Sequence, residues 1–453
     1  MKKGVLGCAL VLLGSLSLAG CQKADDGSII LLNFKPEIAK QFPEVAKIAS
    51  EELGFKISVE SAANGKYEET LRSKISTDAS PAIFQINGPV GYANWKEYIA
   101  DLDGSAVVKG LVNEKMAVKV DGKIKAIPYT EEGYGIIYNK ELTDMYFALE
   151  GRSKETGANS MDDIKSYATL KKVVDDMQAH KADLGVDGVF GTSGLDGSDS
   201  WRITGHAFNL ALVGEFGTSV TATPDTFNFS CADNFRNIVD LYVKNSTTTP
   251  SNMVNATNAA GSASFADKKA IMFQNGNWAT ADLTKGGKVH NENLRYLPMY
   301  CGINNDYIKE AKQGLCIGTE ANWCVNKKLS AKKQENALKF LDWLLCGKGQ
   351  KYCMGATENG LGFMPPYKGF GEGTLKQSDP LAIQVSNWMN KSDVDSVAWD
   401  FTIVPSTDAQ RAALVEDLKK YYNSNCSDEA WTTLVANAKT KWAELAKAQK
   451  LGQ

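Results

Sequence analysis

Three of the nine tryptophans in this sequence stand in polar surroundings, where a core residue is not expected. Trp278 lies in "NGNWATAD", among Asn, Gly and Thr. Trp201 lies in "DGSDSWRITGH", with Asp199, Arg202 and His206 close by. Trp399 sits in "VAWDF". Indole rings in polar loops suit a ligand with flat apolar faces and a rim of hydroxyls, as carbohydrates have. The rings stack on it, and a few fixed polar groups set its orientation. Polar candidates are at hand. Glu131, Glu132 and Tyr134 share one short polar stretch. Asn87 ends an apolar run, at the strand edge where α/β lobes bind ligands. Asn33 and Tyr67 complete the set, although Tyr67 also fits the apolar stripe of a helix. Each has a plainer reading: lobe packing for the rings, a solvated hinge for the glutamates. Trp95, Trp343 and Trp442 fall within helical stripes and read as structural.

Bond-breaking chemistry is poorly served. Glu131 and Glu132 could be the acid and nucleophile of a glycoside hydrolase, but neighbours on a strand point to opposite faces. Glycosidase carboxyls must flank one bond, about 5–10 Å apart. The chain has three histidines, His180, His206 and His290, with no H-E-x-x-H and no G-x-S-x-G elbow. It has no G-x-x-x-x-G-K-[ST] loop for a nucleotide. "DLGVDGVFGTSGLDGSDS" is rich in Asp and Gly but lacks the glutamate an EF-hand needs at its twelfth position. It reads as a surface loop. The expectation is a binding protein with no catalytic residues, cofactor or metal.

The elements that must position these residues can be read in outline. "SIILLNF" predicts a strand over Ile29 to Phe34. The next stretch places Phe42, Val45, Ala49 and Leu53 at helical spacing, and Gly54 stops it. "KISVESA" predicts a second strand, "YEETLRSKI" a helix and "PAIFQIN" a third strand. Strands alternating with helices predict an α/β lobe around a parallel sheet. Further on, Ser330 should cap a helix whose stripe is Ala337, Phe340, Leu341 and Leu344. The C-terminal stretch from "DAQRAALVEDLKKYY" is helical. With 453 residues the chain exceeds what one core supports, so two lobes are expected, without an obvious linker.

The N-terminus raises a separate chemistry. Lys2 and Lys3 precede an apolar run from Val5 to Leu18, roughly 14 residues where a membrane span needs about 20. The layout is that of a secretory signal. Leu18-Ala19-Gly20-Cys21 resembles the bacterial lipobox, which implies cleavage before Cys21 and acylation of its thiol. Residues 1–20 would be the signal peptide and 21–27 a tether. The other cysteines, Cys8 aside, are Cys231, Cys301, Cys316, Cys324, Cys346, Cys353 and Cys426. An odd number with no C-x-x-C pair predicts mostly free, buried thiols and argues against zinc. The net charge is −3 and becomes two units more negative without Lys2 and Lys3, which argues against nucleic acid.

"GKIKAIPYTEEGYGIIYNKEL", from Gly122 to Leu142, resembles the crossover segment of the extracellular solute-binding proteins of carbohydrate ABC transporters, the group that includes maltose-binding protein. "IMFQNGNWATADL" resembles the family's "NGPW" segment, with Asn277 where proline often stands. "GFMPPYKGF" and "WDFTIVPS" resemble loops of a gut-bacterial branch. The resemblance implies a two-lobe α/β fold hinged by several crossovers, near Thr130, Tyr296 and Met354. The N-terminal lobe would take 28–130 and 296–354, the C-terminal lobe 131–295 and 355–453. It further implies capture of a sugar, above all an oligosaccharide, by Trp278, Trp201, Glu132, Glu131, Tyr134, Asn87, Asn277, Trp399, Asn33 and Tyr67. Delivery to membrane permease subunits would follow, from a lipid anchor at Cys21 on the extracytoplasmic face of the cell membrane. A non-sugar solute, such as a peptide, is the alternative ligand.

Overall fold

The computed structural model describes residues 25–63, 66–196, 199–218, 220, 222–354, 360–370, 375–399 and 403–451. The expected signal segment and Cys21 lie outside them.

Two six-stranded sheets organise the chain. The first begins as expected. β1 (Ile29–Asn33) pairs in parallel with β2 (Ile57–Ser61) and β3 (Ile83–Ile86). The helix Gln41–Leu53 crosses between β1 and β2, burying Phe42, Val45 and Ala49. It ends because Gly54 adopts φ 76°, a left-handed conformation that costs glycine nothing. β4 (Val118–Val120) and β5 (Lys123–Pro128) form a hairpin at the far edge. β11 (Asn322–Val325) inserts antiparallel between β3 and β5. The helix Ala331–Cys346 covers this sheet, and Ser330 caps it by accepting from Lys333 N–H at 3.2 Å.

The second sheet is built on β6 (Glu132–Asn139), every residue of which is buried. β8 (Ala270–Gly276) flanks it on one side, with β7 (Gly188–Phe190) beyond. β9 (Leu294–Leu297) and β10 (Gln313–Gly318) flank it on the other, at opposite ends of β6. β12 (Asp395–Val397) closes that edge beside β10. Each sheet has its own apolar core. Trp323, Phe340 and Leu344 sit in the first, Phe208, Phe235 and Trp442 in the second. Trp95, Trp343 and Trp442 are buried, as their helical spacing predicts.

The crossovers differ from expectation. The first falls at Tyr129–Glu131, between β5 and β6, close to the expected Thr130. The second falls at 319–321 and not near Tyr296, because β9 and β10 both join the second sheet. The third does not follow Met354 directly: Leu361, Phe363 and Tyr367 still pack in the first core. The first two crossovers are laced to one another and to Met364. Tyr129 N–H donates to Ala321 O at 3.1 Å and Glu131 N–H to Met364 O at 2.8 Å. Met364 N–H donates to the Thr130 hydroxyl oxygen at 2.9 Å. The expected tether is also shorter, since Asp25 accepts from Ser330 and Gly27 O accepts from Asn336 at 2.8 Å.

All seven cysteines after Cys21 are free, and all but Cys346 are buried. Burial raises their thiol pKa values, with Cys316 pushed up to about 12, so they are poor nucleophiles. No helix among the described residues is long and apolar enough to cross a membrane.

Candidate functional site

The first residues of β6 define the site. Tyr134 pairs across the sheet with Gly276 on β8 and with Cys316 on β10. From Gly276 the chain turns into a short helical segment, Asn277–Ala279, that carries Trp278. Gly276 is needed here: a Cβ would stand 2.2 Å from the Trp278 ring. Asn277 is buried and fixes this turn by accepting from Gly133 N–H at 2.9 Å. Its amide oxygen is therefore a structural pin between β6 and β8.

A third element enters from the side. Residues Arg202–Ala207 form a π-helical stretch, buried throughout, that leads into the helix Phe208–Phe216. Such stretches are rare and concentrate at functional sites. This one delivers His206 into the ring cluster. The His206 imidazole stacks on Tyr134 at 3.8 Å and 6°. Trp201 meets His206 edge-on at 4.6 Å and lies 5.9 Å from Trp278. Trp399 closes the group, 5.3 Å from Tyr134 and pressed against Gly318. Tyr134 and Trp399 are buried, whereas Trp201 and Trp278 keep part of their surface open. Three sequence-predicted tryptophans and one tyrosine thus converge on a histidine.

Charge surrounds the rings. The Arg202 guanidinium covers the Trp201 ring at 4.1 Å. Its Nε donates to Asn275 at 3.4 Å, and burial lowers its pKa to about 10. Gln274 Nε2 lies 3.1 Å from His206 Nδ1. Burial, with Arg202 and Arg411 adding to it, holds His206 well below the usual imidazole range, so the ring is neutral. From the first sheet, Lys35 reaches across to pair with Glu132 and places its ammonium 5.7 Å from the Trp278 ring. Burial works against the Lys35 charge, but Glu132 and Glu37 outweigh it and keep it protonated. Burial raises Glu132 against the pull of Lys35. Glu320, on the second crossover, is lifted to about 7 by burial and by Glu132.

The other candidates are distributed differently. Asn33 is buried and turned inward. It accepts from Lys35 N–H at 3.0 Å and donates to Ser61 at 2.9 Å, so it shapes the loop that presents Lys35. Tyr67 packs in the first lobe, edge-on to Phe34, and its hydroxyl accepts from Gln85 N–H at 2.6 Å. That is a core position. Asn87 is half-buried after β3, 3.3 Å from Gln85 Nε2. The Glu131 carboxyl is half-buried beside the hinge, and burial raises its pKa. Asp199 accepts from Asn258 N–H at 2.9 Å and lies 3.6 Å from Arg202. Its loop is thus tied to the site. Lys35, Glu320 and Arg411 were not among the sequence candidates. A lone charge in a loop carries no spacing signal.

Two open depressions elsewhere lack aromatic rings. One is lined by Asp417, Lys420 and Glu429, the other by Lys181, Asp187 and Lys244. Neither offers a stacking surface.

A family model described as bacterial extracellular solute-binding protein matches residues 43–385. No curated protein sequence matches. Among solved structures, a chitin oligosaccharide binding protein superposes with a TM-score of 0.68 at 17% identity, covering 93% of this chain and 100% of that one. RafE from Streptococcus pneumoniae, in its apo form, gives 0.63 at 16%, covering 92% and 98%. The maltose-maltodextrin binding protein of Alicyclobacillus acidocaldarius gives 0.59 at 17%, covering 91% and 99%. At such identities the likeness is one of fold.

Proposed function

The chain belongs to the bacterial extracellular solute-binding proteins, and from that premise we propose that it captures an oligosaccharide between its two lobes and hands it to an ABC permease. The observation that carries this reading is the ring cluster. Trp201 and Trp278 are partly open, 5.9 Å apart, and backed by Tyr134, His206 and Trp399. Rings of this kind stack on the apolar faces of sugars. The charged side chains around them supply donors and acceptors for hydroxyls. The titles of the fold neighbours support the class: one binds chitin oligosaccharide, another holds raffinose.

The mechanism follows from the hinge. The first two crossovers, Tyr129–Glu131 and 319–321, are laced to each other and to Met364, so that the lobes rotate about one line. A ligand drives closure only by as much as it binds the closed form more tightly. The lipobox at Leu18–Cys21 supports a lipid anchor at Cys21 on the outer face of the cell membrane. A calorimetric screen of α- and β-linked oligosaccharides, with tryptophan fluorescence recorded in parallel, tests the reading. Binding with quenching or a spectral shift is the expected result. A peptide ligand that binds where every sugar fails would replace it.

A further inference from the structure

The polar side chains beside the rings are unevenly satisfied. Arg202 is 5% exposed, and its Nη1 has no hydrogen-bond partner among the described residues. Its nearest carboxylate, Asp199, stands 3.6 Å away and uses its other oxygen on Asn258 N–H. Arg411, on the helix Thr407–Asn423 that packs against the π-helical stretch, has a buried Nε that is also unmatched. The Arg411 side chain as a whole is 26% exposed; its neighbour Asp408 is 3.9 Å off and 84% exposed, and Glu320 adds only a more distant charge. Gln410, preceding it, is 2% exposed, with neither side-chain oxygen nor nitrogen partnered among those residues. His206 lies under the influence of both guanidiniums. Buried donors without acceptors are costly, and more so when charged. Arg202 lies on the Trp201 ring and Arg411 on a helix packed against the same π-helical stretch, so their unmatched donors suit an acceptor from outside.

We propose that the ligand is an anionic oligosaccharide, with a carboxylate or sulfate group received by Arg202 and Arg411 while its ring stacks on Trp201 and Trp278. This rests on the sugar-binding reading above and narrows it. The chemistry suits the residues. Guanidinium is the side chain that meets a planar carboxylate or a sulfate with paired, charge-assisted donors. Arg202 is already oriented for this, because Asn275 holds its Nε and the Trp201 face fixes its plane. Lys35 does not compete, since Glu132 and Glu37 occupy it. The neutral His206 adds no charge beside the two arginines.

Calorimetry on the full mature protein with matched pairs tests it. Trigalacturonate against galactotriose examines the carboxylate, and sulfated against unsulfated N-acetyllactosamine examines the sulfate. A glycan array holding acidic and neutral members of each backbone widens the search. The expected result is an acidic member bound at least about tenfold more tightly than its neutral counterpart, with the difference shrinking as salt is raised. Arg411→Gln should bring that ratio towards one, and Arg202→Gln should do the same, with thermal melting checking that each variant is folded. A neutral sugar that binds as well as or better than its acidic partner overturns this proposal and leaves the sugar reading standing. Failure of every sugar, acidic or neutral, overturns both.

Discussion

Lys35 and Glu132 form a buried ion pair between the two sheets. Lys35 follows the end of β1 in the first sheet, and Glu132 opens β6 in the second. Their side chains are 8% and 7% exposed. A buried pair is not itself strong evidence of stabilisation, because desolvating both charges offsets most of their attraction. Breaking it is another matter. Glu132→Gln leaves an ammonium with the partly exposed Glu37, 3.6 Å away, and the weaker influence of Glu320. The expected loss of stability is about 3–5 kcal/mol for either single removal. The double variant Lys35→Met, Glu132→Leu should lose less than the sum of the singles. Urea melts of the four proteins read this directly. Strict additivity would mean that the two side chains do not interact in solution.

Glu320 gives a prediction about pH. Its carboxyl is lifted to about 7 in the folded protein by burial and by Glu132. An unfolded glutamate titrates near 4.3. The folded state therefore binds the extra proton. The stability this contributes is fully present below about pH 4 and is lost as pH rises towards 7. Glu320→Gln carries a neutral side chain at every pH and should flatten that decline. Between pH 5 and 8 the wild type should lose about 1–3 kcal/mol relative to the variant. Parallel slopes in melts of the two proteins across that range would mean an ordinary, solvated carboxylate.

The front of the chain has a test of its own. If Cys21 carries the lipid, Cys21→Ala should move the protein from the membrane fraction to the medium. Intact mass should show acyl chains on the wild type alone. Each buried methylene contributes about 0.8 kcal/mol, so two or more chains hold firmly. Wild-type protein that is unmodified at Cys21 would end the lipoprotein reading.

How much of this was legible in the sequence differs by element. β1 to β3 and their helices were, because apolar runs, helical stripes and Gly54 state their own limits. The hinge was legible only in part. Gln313–Gly318 and Asn322–Val325 are two short strands close together in sequence, and nothing local says that they join different sheets. That assignment comes from partners, Tyr134 for the first and Phe84 for the second, which are far away in sequence. Trp201 and Trp278 stand out in the sequence by their polar neighbours, and the fold leaves both rings partly open, but Trp399, expected outside the core on the same grounds, is buried in the second core. Asn33 and Tyr67 have suitable side chains but spend them on their own lobe. Lys35, Glu320 and Arg411 come together only through the fold.

Trp278 can be tested without being deleted. Its ring lies on Gly276, where a Cβ would stand 2.2 Å from it. Gly276→Ala therefore has to push the ring aside while leaving every ligand-facing side chain in the sequence. Gly276 has φ −105°, which alanine adopts freely, so backbone strain does not confound the change. If Trp278 stacks on sugar, Trp278→Ala should lower affinity by about thirty- to a thousand-fold, from lost stacking and lost apolar burial. Gly276→Ala should fall between that variant and the wild type, and Trp278→Phe should keep most of the binding. Melting should move less than for a core tryptophan such as Trp442, because Trp278 is only partly buried. Calorimetry with the sugar found in the screen measures all three. Unchanged affinity in both Trp278→Ala and Gly276→Ala would make the ring a packing residue of the second lobe and move the stacking role to Trp201 alone.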